Sequence, residues 1–419
     1  VDPAPPRESA HTIGRFGALL LDAGLSVTDV RHTLDSLAAA AAPGSDWTFS
    51  VLPALVIINS NATGRAIIIN AEGTDLSFRQ AAHAGRLARA AEQGRVPLEQ
   101  LDARIDAVRS RRPAHPAAGH IAGAAIISLG LATLFRCPWW AVIAALVVGA
   151  VVGVLSWGLG RLRGATAVVP FATAFVSTLL VGTLAHTFDL GPVPLFAVCA
   201  PVAVLVPGAL VTNALLELTA TDIITGSGRL AYGLIMLAFM TAGVFAGARL
   251  TGLRIDGGSA ALVGEAASVT GPVFGLTGLP PLWMSWVGVW FLAIGVGAAF
   301  GSSVRLTALS VVVMTCTYAV VVLLSPAFGT VVATGCAAAA LFVASTIIQH
   351  LSAAFPVTVT FQPAFLLLVP GTVGLVALAS QDVLAAAPAT FMSLCIGTKV
   401  GAVLADAFRR RPRRRPLLT

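Results

Sequence analysis
Apolar positions in residues 12–42 recur at Ile13, Phe16, Leu19, Leu20, Val27, Val30, Leu34 and Leu37, the spacing of one face of a helix. Gly24-Leu25-Ser26 interrupts the run, and Ser26 or Thr28 stands where the second part needs a cap. Two β-rich runs follow, Thr48 to Ile58 and Arg65 to Ile69, divided by the turn cluster Asn59-Ser60-Asn61-Ala62-Thr63-Gly64, which predicts a hairpin. Ser77 to Glu92 and Pro97 to Arg111 read as two polar helices, with Pro97 where a helix start tolerates proline. Together these elements predict a small cytoplasmic α+β domain over residues 1–113.

The pattern changes at Ala117. Ten apolar segments follow, at 117–135, 139–160, 165–188, 193–216, 230–252, 283–303, 306–325, 328–350, 358–380 and 388–408. Each approaches the ~20 residues that cross a bilayer. The expected architecture is a polytopic α-helical membrane protein: a first five-helix repeat over 114–252, an extracellular connecting loop at 253–282, a second five-helix repeat over 283–408 and a basic cytoplasmic tail at 409–419. Small residues are dense, as in Gly149, Gly153, Gly158 and Gly160, or Gly295, Gly297 and Gly301, a spacing that lets helices approach closely in lipid.

Composition agrees with this partition. Hydrophobic residues make up 57% of the chain and charged ones 11%, and the mean hydropathy is +0.87, values that exclude an ordinary soluble protein. Residues 1–113 hold 12 of the 19 acids and 12 of the 26 bases, so charge is segregated from the apolar part. Val1-Asp2-Pro3-Ala4-Pro5-Pro6 has neither a basic region nor an apolar run, so no secretory signal is expected ahead of the polar domain. With the N-terminus cytoplasmic, 13 arginines (Arg109, Arg111, Arg112, Arg161, Arg163, Arg229, Arg305 and six between Arg409 and Arg415) fall inside. Only Arg136, Arg249 and Arg254 fall outside, which fits the positive-inside rule in a bacterial cytoplasmic membrane with both termini cytoplasmic. The net charge of +7 is no nucleic-acid signature, because six arginines sit in one tail after a span. The five cysteines are scattered without CxxC or histidine spacing, so neither a disulfide framework nor a metal site is expected.

One phrase occurs twice within apolar segments: Val204-Leu205-Val206-Pro207-Gly208 and Leu367-Leu368-Val369-Pro370-Gly371, 163 residues apart. Proline removes a backbone donor and glycine loosens the helix, so each pair is expected to break a span. Each break falls in the fourth span of its set of five. An odd number of spans per half forces the halves into opposite orientations, hence two inverted repeats with a substrate site at the breaks.

Candidate site residues follow from these breaks. Thr212, Asn213 and Glu217 lie one to three turns past Pro207-Gly208, where freed backbone groups and helix ends supply partial charges. An amino acid zwitterion needs both signs close together, and these residues could contribute. The competing account has Asn213 bonding across helices and Glu217 at the cytoplasmic interface. Asp222 reads as a loop or cap residue. In the second half Gln362 precedes Pro370-Gly371 and Asp382 follows it, so inversion sets Asp382 and Asp222 near opposite faces as paired gates or plain interfacial residues. Lys399 is the single lysine and lies inside the tenth segment with Asp406 two turns on. An ionisable group in a span is costly and functional by default, which favours substrate binding or ion coupling over snorkelling. Glu217, Asp222, Asp382 and Lys399 are the ion-coupling candidates. In the polar domain Asp22, Asp29, His32, Asp35 and His83 read as a solvated face, not a hydrolytic site.

The chain resembles the threonine/serine exporter family of bacterial membrane proteins. The resemblance rests on Leu19-Leu20-Leu21-Asp22-Ala23-Gly24 running into Val27-Thr28-Asp29-Val30, the hairpin around Gly64, the helix with Leu98, Leu101-Asp102 and Ile105, Pro207-Gly208 with Asn213, Asp222 and Gly226, and the 5+5 layout, which fuses two modules. The Asp that the family carries shortly after Pro-Gly is represented by Glu217 or the more distant Asp222. The resemblance implies export of L-threonine and L-serine driven by the proton motive force, with no cofactor. The partners are those amino acids, protons and the lipid bilayer, with a homodimer left open and no nucleic acid. No GxxxxGK[ST] occurs, so nucleotide drive from this chain is not expected. The alternatives are export of another small metabolite or short peptide, or a membrane-anchored enzyme with a catalytic N-terminal domain.

Overall fold
A computed structural model describes residues 7–41, 44–61, 63–73, 76–111, 113, 115–162, 167–220, 222–256, 270–272, 275–351, 364, 367–368 and 386–409. The chain opens with α1 (Arg7–Asp22) and α2 (Val27–Ala41), which meet at Gly24, whose φ of +80° suits a residue without Cβ. The Ser26 hydroxyl accepts the Asp29 amide at 3.2 Å and so caps α2. An antiparallel sheet of β1 (Trp47–Leu52), β2 (Leu55–Ser60) and β3 (Arg65–Asn70) follows in that order. The sequence predicts one strand over Thr48 to Ile58, but the structure folds that run into two. Pro53 cannot donate to a ladder, and with Ala54 it makes the two-residue turn that pairs Leu52 with Leu55. Helix α1 covers the sheet, and its Gly17 admits the Val56 side chain so closely that a Cβ there would lie 3.0 Å away.

Helices α3 (Phe78–Glu92) and α4 (Leu98–Arg109) complete the N-terminal α+β domain. Ser77 and Gln80 form a reciprocal capping box at the start of α3. Arg15 of α1 clamps α4 through Asp102 and Asp106, at 2.5 and 2.8 Å. Asp22 is buried and accepts Arg109 at 2.8 Å together with the amides of Glu72 and Gly73. Its carboxylate therefore ties α1, the loop after β3 and α4 together.

The membrane part consists of α5 (Pro116–Leu134), α6 (Trp139–Leu159), α7 (Val169–Thr187), β4 (Val193–Pro194), α8 (Leu195–Cys199), a 3-10 turn (Ala200–Leu205), α9 (Gly208–Thr219), α10 (Ile223–Thr251), β5 (Ile255–Asp256), α11 (Met284–Ala299), α12 (Val304–Leu351) and α13 (Ala386–Arg409). Among the described residues five helices (α5, α6, α7, α10 and α12) are long and apolar enough to cross a membrane, and six spans result if the bent pair around Pro207 counts as one. The protein is thus a polytopic α-helical membrane protein carrying a small α+β domain. Helix α12 contains a break: Gly329 has φ 75° and ψ 160°, three residues after Pro326. Its apolar stretch of 45 residues would reach about 68 Å if straight, over twice the ~30 Å hydrocarbon core. Pro326 falls between the predicted segments 306–325 and 328–350, and Gly329 is the second residue of the latter. The predicted segment 358–380 lies almost wholly outside the described residues.

Contacts at the helix ends set their direction. The amides of Phe78 and Arg79 donate to the carbonyls of Phe300 and Gly301 at 2.8 and 3.3 Å, and the Phe78 ring stacks on Phe300. The end of α11 and the start of α5 therefore lie at the end of the bundle that meets the α+β domain. At the opposite end β4 pairs in parallel with β5, joining the segment before α8 to the one after α10. Glycines bring backbones together inside the bundle. A Cβ on Gly130 of α5 would come within 2.5 Å of the Leu292 amide of α11, and one on Gly288 within 2.5 Å of the Leu134 amide. Helices α7 and α10 meet through Gly243 and Gly247, and α12 and α13 through Gly335 and Gly401.

Candidate functional site
The fourth apolar segment, 193–216, is not one helix. Helix α8 and its 3-10 continuation end at Leu205, Val206 turns extended (φ −61°, ψ 124°), and α9 starts at Gly208. The two arms meet at 73°. Proline accounts for the break, since Pro207 has no N–H to continue the ladder. The second such phrase, Pro370-Gly371, lies outside the described residues, as do Gln362 and Asp382.

Helix α9 leads from the break to the α+β domain. Thr212 is buried and returns its hydroxyl to the Gly208 carbonyl at 2.7 Å. One residue on, the Asn213 amide donates to the Gly24 carbonyl of the α1–α2 corner at 2.9 Å. Glu217 is 0% exposed. Its Oε1 accepts the Val27 amide at 3.1 Å and pairs with Arg229 of α10 at 2.7 Å, whereas Oε2 has no hydrogen-bond partner among the described residues. Asp222 occupies the cap position of α10, yet its carboxylate serves the seam instead. It accepts the Thr28 hydroxyl at 2.5 Å and lies 3.5 Å from Arg31.

The seam thus joins residues 24–31 to residues 213–229 through a backbone carbonyl, a backbone amide, a hydroxyl and one cation, Arg31, while Arg229 pairs with Glu217 on the far side of it. A carboxylate and a guanidinium are held together where the broken helix ends. The free Oε2 leaves room in the bonding scheme for a proton or an ammonium group. Among the described residues no group of His, Cys, Asp and Glu could hold a metal ion.

The family model described as "Putative threonine/serine exporter" matches residues 11–251, more than half of the chain. The chain belongs to the threonine/serine exporter family. Neither a curated protein nor a solved structure shows a significant match. Membership of an exporter family makes the chain a transporter and not an enzyme, so the reading of the N-terminal domain as catalytic is set aside.

In this exporter the candidate residues from the sequence fall into three groups. Asn213, Glu217 and Asp222 come together at the seam. Pro207, Gly208 and Thr212 form the break and the first turn behind it. Lys399 lies half-buried on α13, with no ion pair among the described residues. Three seam residues were not among the site candidates: Arg229, Arg31 and Thr28, the last read only as a possible cap. Arg229 follows Glu217 by 12 positions across a helix boundary, so no helical spacing links them. The available signal was an arginine seven residues into an apolar helix, but the sequence starts that segment at residue 230, one position too late to count it. Helix α10 instead starts at Ile223, because Asp222 ends the turn after α9.

Proposed function
We propose that this chain is a secondary exporter of small amino acids, L-threonine and L-serine, across the bacterial cytoplasmic membrane, driven by the proton motive force. The observation that carries the reading is the buried Glu217–Arg229 pair behind the Pro207 break. A zwitterion presents a carboxylate and an ammonium group, and this pair offers a cation and a carboxylate of matching sign. Substrate would part the two, its carboxylate taking Arg229 and its ammonium taking Glu217. A proton on Glu217 is the competing occupant, so proton and substrate exclude one another, as antiport requires. Thr212 and Asn213 would supply the side-chain hydroxyl's partners, and Asp222 would hold the mouth closed against Thr28 and Arg31.

The alternating-access part of the proposal uses ten spans in two inverted halves, with the second break at Pro370-Gly371, flanked by Gln362 and Asp382, and with Lys399 in the last span. Two observations support it. The family match ends at residue 251, the last residue of α10, where the first five-span set ends. The third and fifth spans of that set, α7 and α10, pack through glycines, and so do their counterparts, the second arm of α12 and α13. Both termini are assigned to the cytoplasm from the arginine distribution.

The test is uptake of labelled L-threonine and L-serine into proteoliposomes, with and without an imposed pH gradient. Gradient-dependent flux that excess unlabelled serine abolishes is the expected result. Flux indifferent to pH but dependent on sodium would overturn proton coupling. No flux of either amino acid from folded protein, alongside flux of a short peptide or another metabolite, would overturn the substrate assignment.

A further inference from the structure
A second polar cluster lies on the soluble domain away from the seam. His83, one turn into α3, has Nδ1 2.8 Å from the Arg86 guanidinium and Nε2 3.0 Å from that of Arg111, just past α4; its one acceptor nitrogen takes a hydrogen bond from one of the two. Arg79 adds a third guanidinium close enough to act on the same imidazole. All three arginines are exposed. None forms an ion pair with a carboxylate among the described residues, whereas Arg31 and Arg229 each have one and Arg15 and Arg109 two. Three like charges gathered around a neutral ring repel one another and gain only when an anion enters.

Location selects the anion. The Arg79 amide is bonded to the Gly301 carbonyl at the end of α11, and Arg111 precedes the start of α5 by five residues. Arg86 is eight residues from Phe78 along α3, about 12 Å at the helical rise. The cluster therefore borders the ends of α5 and α11, which in the proposed membrane arrangement come level with the phosphate headgroups. Guanidinium groups bind phosphate oxygens bidentately.

We propose that Arg79, Arg86 and Arg111, arranged around His83, bind the phosphate headgroup of an anionic phospholipid and anchor the soluble domain to the bilayer surface. The site is independent of the substrate reading, because it shares no residue with the seam.

The full chain is reconstituted in nanodiscs of mixed phosphatidylglycerol and phosphatidylcholine, and retained lipid is measured by native mass spectrometry. Wild-type protein is expected to retain phosphatidylglycerol preferentially. The triple variant Arg79→Gln/Arg86→Gln/Arg111→Gln should lose that preference by on the order of a hundredfold at low salt, while the Lys triple variant keeps most of it. A second readout follows the His83 imidazole by NMR: its proton affinity should rise in phosphatidylglycerol and stay low in phosphatidylcholine. Equal lipid retention by wild type and the Gln triple variant, with wild-type folding shown by circular dichroism, would overturn the proposal. So would a rise in His83 proton affinity brought about by inorganic phosphate alone with no preference for phosphatidylglycerol, which would make this a free-anion site.

Discussion

Replacing Arg229 with Met leaves Glu217 fully buried with the Val27 amide as its one remaining partner. Arg229 is itself largely buried, its side chain 12% exposed, so water cannot take over its role. Removing one member of such a pair costs about 3–5 kcal/mol, because the charge left behind stays desolvated. Removing both members costs less. In Glu217→Leu/Arg229→Met the packing is roughly conserved, and the main residual penalty is the unpaired Val27 N–H, about 1–3 kcal/mol. The double variant should therefore be about 2 kcal/mol more stable than Arg229→Met alone. Equilibrium unfolding in a bilayer mimic measures the energies, and hydrogen exchange at residues 24–31 reports whether the seam opens. Exchange at Val27 should accelerate in both variants, since both lose its acceptor geometry or the acceptor itself. A stability change under 1 kcal/mol in Arg229→Met, with Val27 protection unchanged, would refute the claim that Arg229 holds Glu217 in place as the acceptor of the Val27 amide.

Glu217→Gln should abolish gradient-driven export while leaving substrate exchange measurable by counterflow; pH-gradient drive in this variant would remove Glu217 from coupling. Asn213→Ala deletes the bond to the Gly24 carbonyl and should cost about 1 kcal/mol, read as faster exchange at the α1–α2 corner with the rest of the fold protected. Gly288→Val puts a side chain where even a Cβ would lie 2.5 Å from the Leu134 backbone, so α5 and α11 must part; a loss of roughly 1–3 kcal/mol is expected, visible as a lower unfolding midpoint. His83 is pushed down to about 4 by burial first and then by Arg86, Arg111 and Arg79. The folded state thus resists a proton that the unfolded chain accepts below about pH 6.5, so stability should fall as pH drops from 6.5 towards 4 and level off below. His83→Gln should flatten that window in acid unfolding curves of the whole chain.

Elements with strong local causes were legible in the sequence. The corner at Gly24, the capped start of α2 at Ser26 and the helix at Ser77 with Gln80 each follow from a glycine or a short hydrogen-bonding side chain acting within four residues. The break at Pro207 is equally local, because a missing N–H needs no tertiary partner to end a helix. The strand over Thr48 to Ile58 was misread since β-propensity persists across it, and Pro53 decides the turn only once Leu55–Ser60 has a partner on each side.

The apolar segments, the polar domain ahead of them and the family pattern were determined by the order of residues alone, because hydrophobic length and backbone donors are properties of short stretches. The seam was decided only by the tertiary structure. Glu217 meets Val27 across 190 positions and Asn213 meets Gly24 across 189, and no periodicity reaches that far. Whether a carboxylate after a proline break faces water, lipid or an arginine depends on which surface the chain brings against it. Here that surface is the corner of α1 and α2, which makes Thr28 and Arg31 partners of Asp222 and buries Glu217 against Arg229.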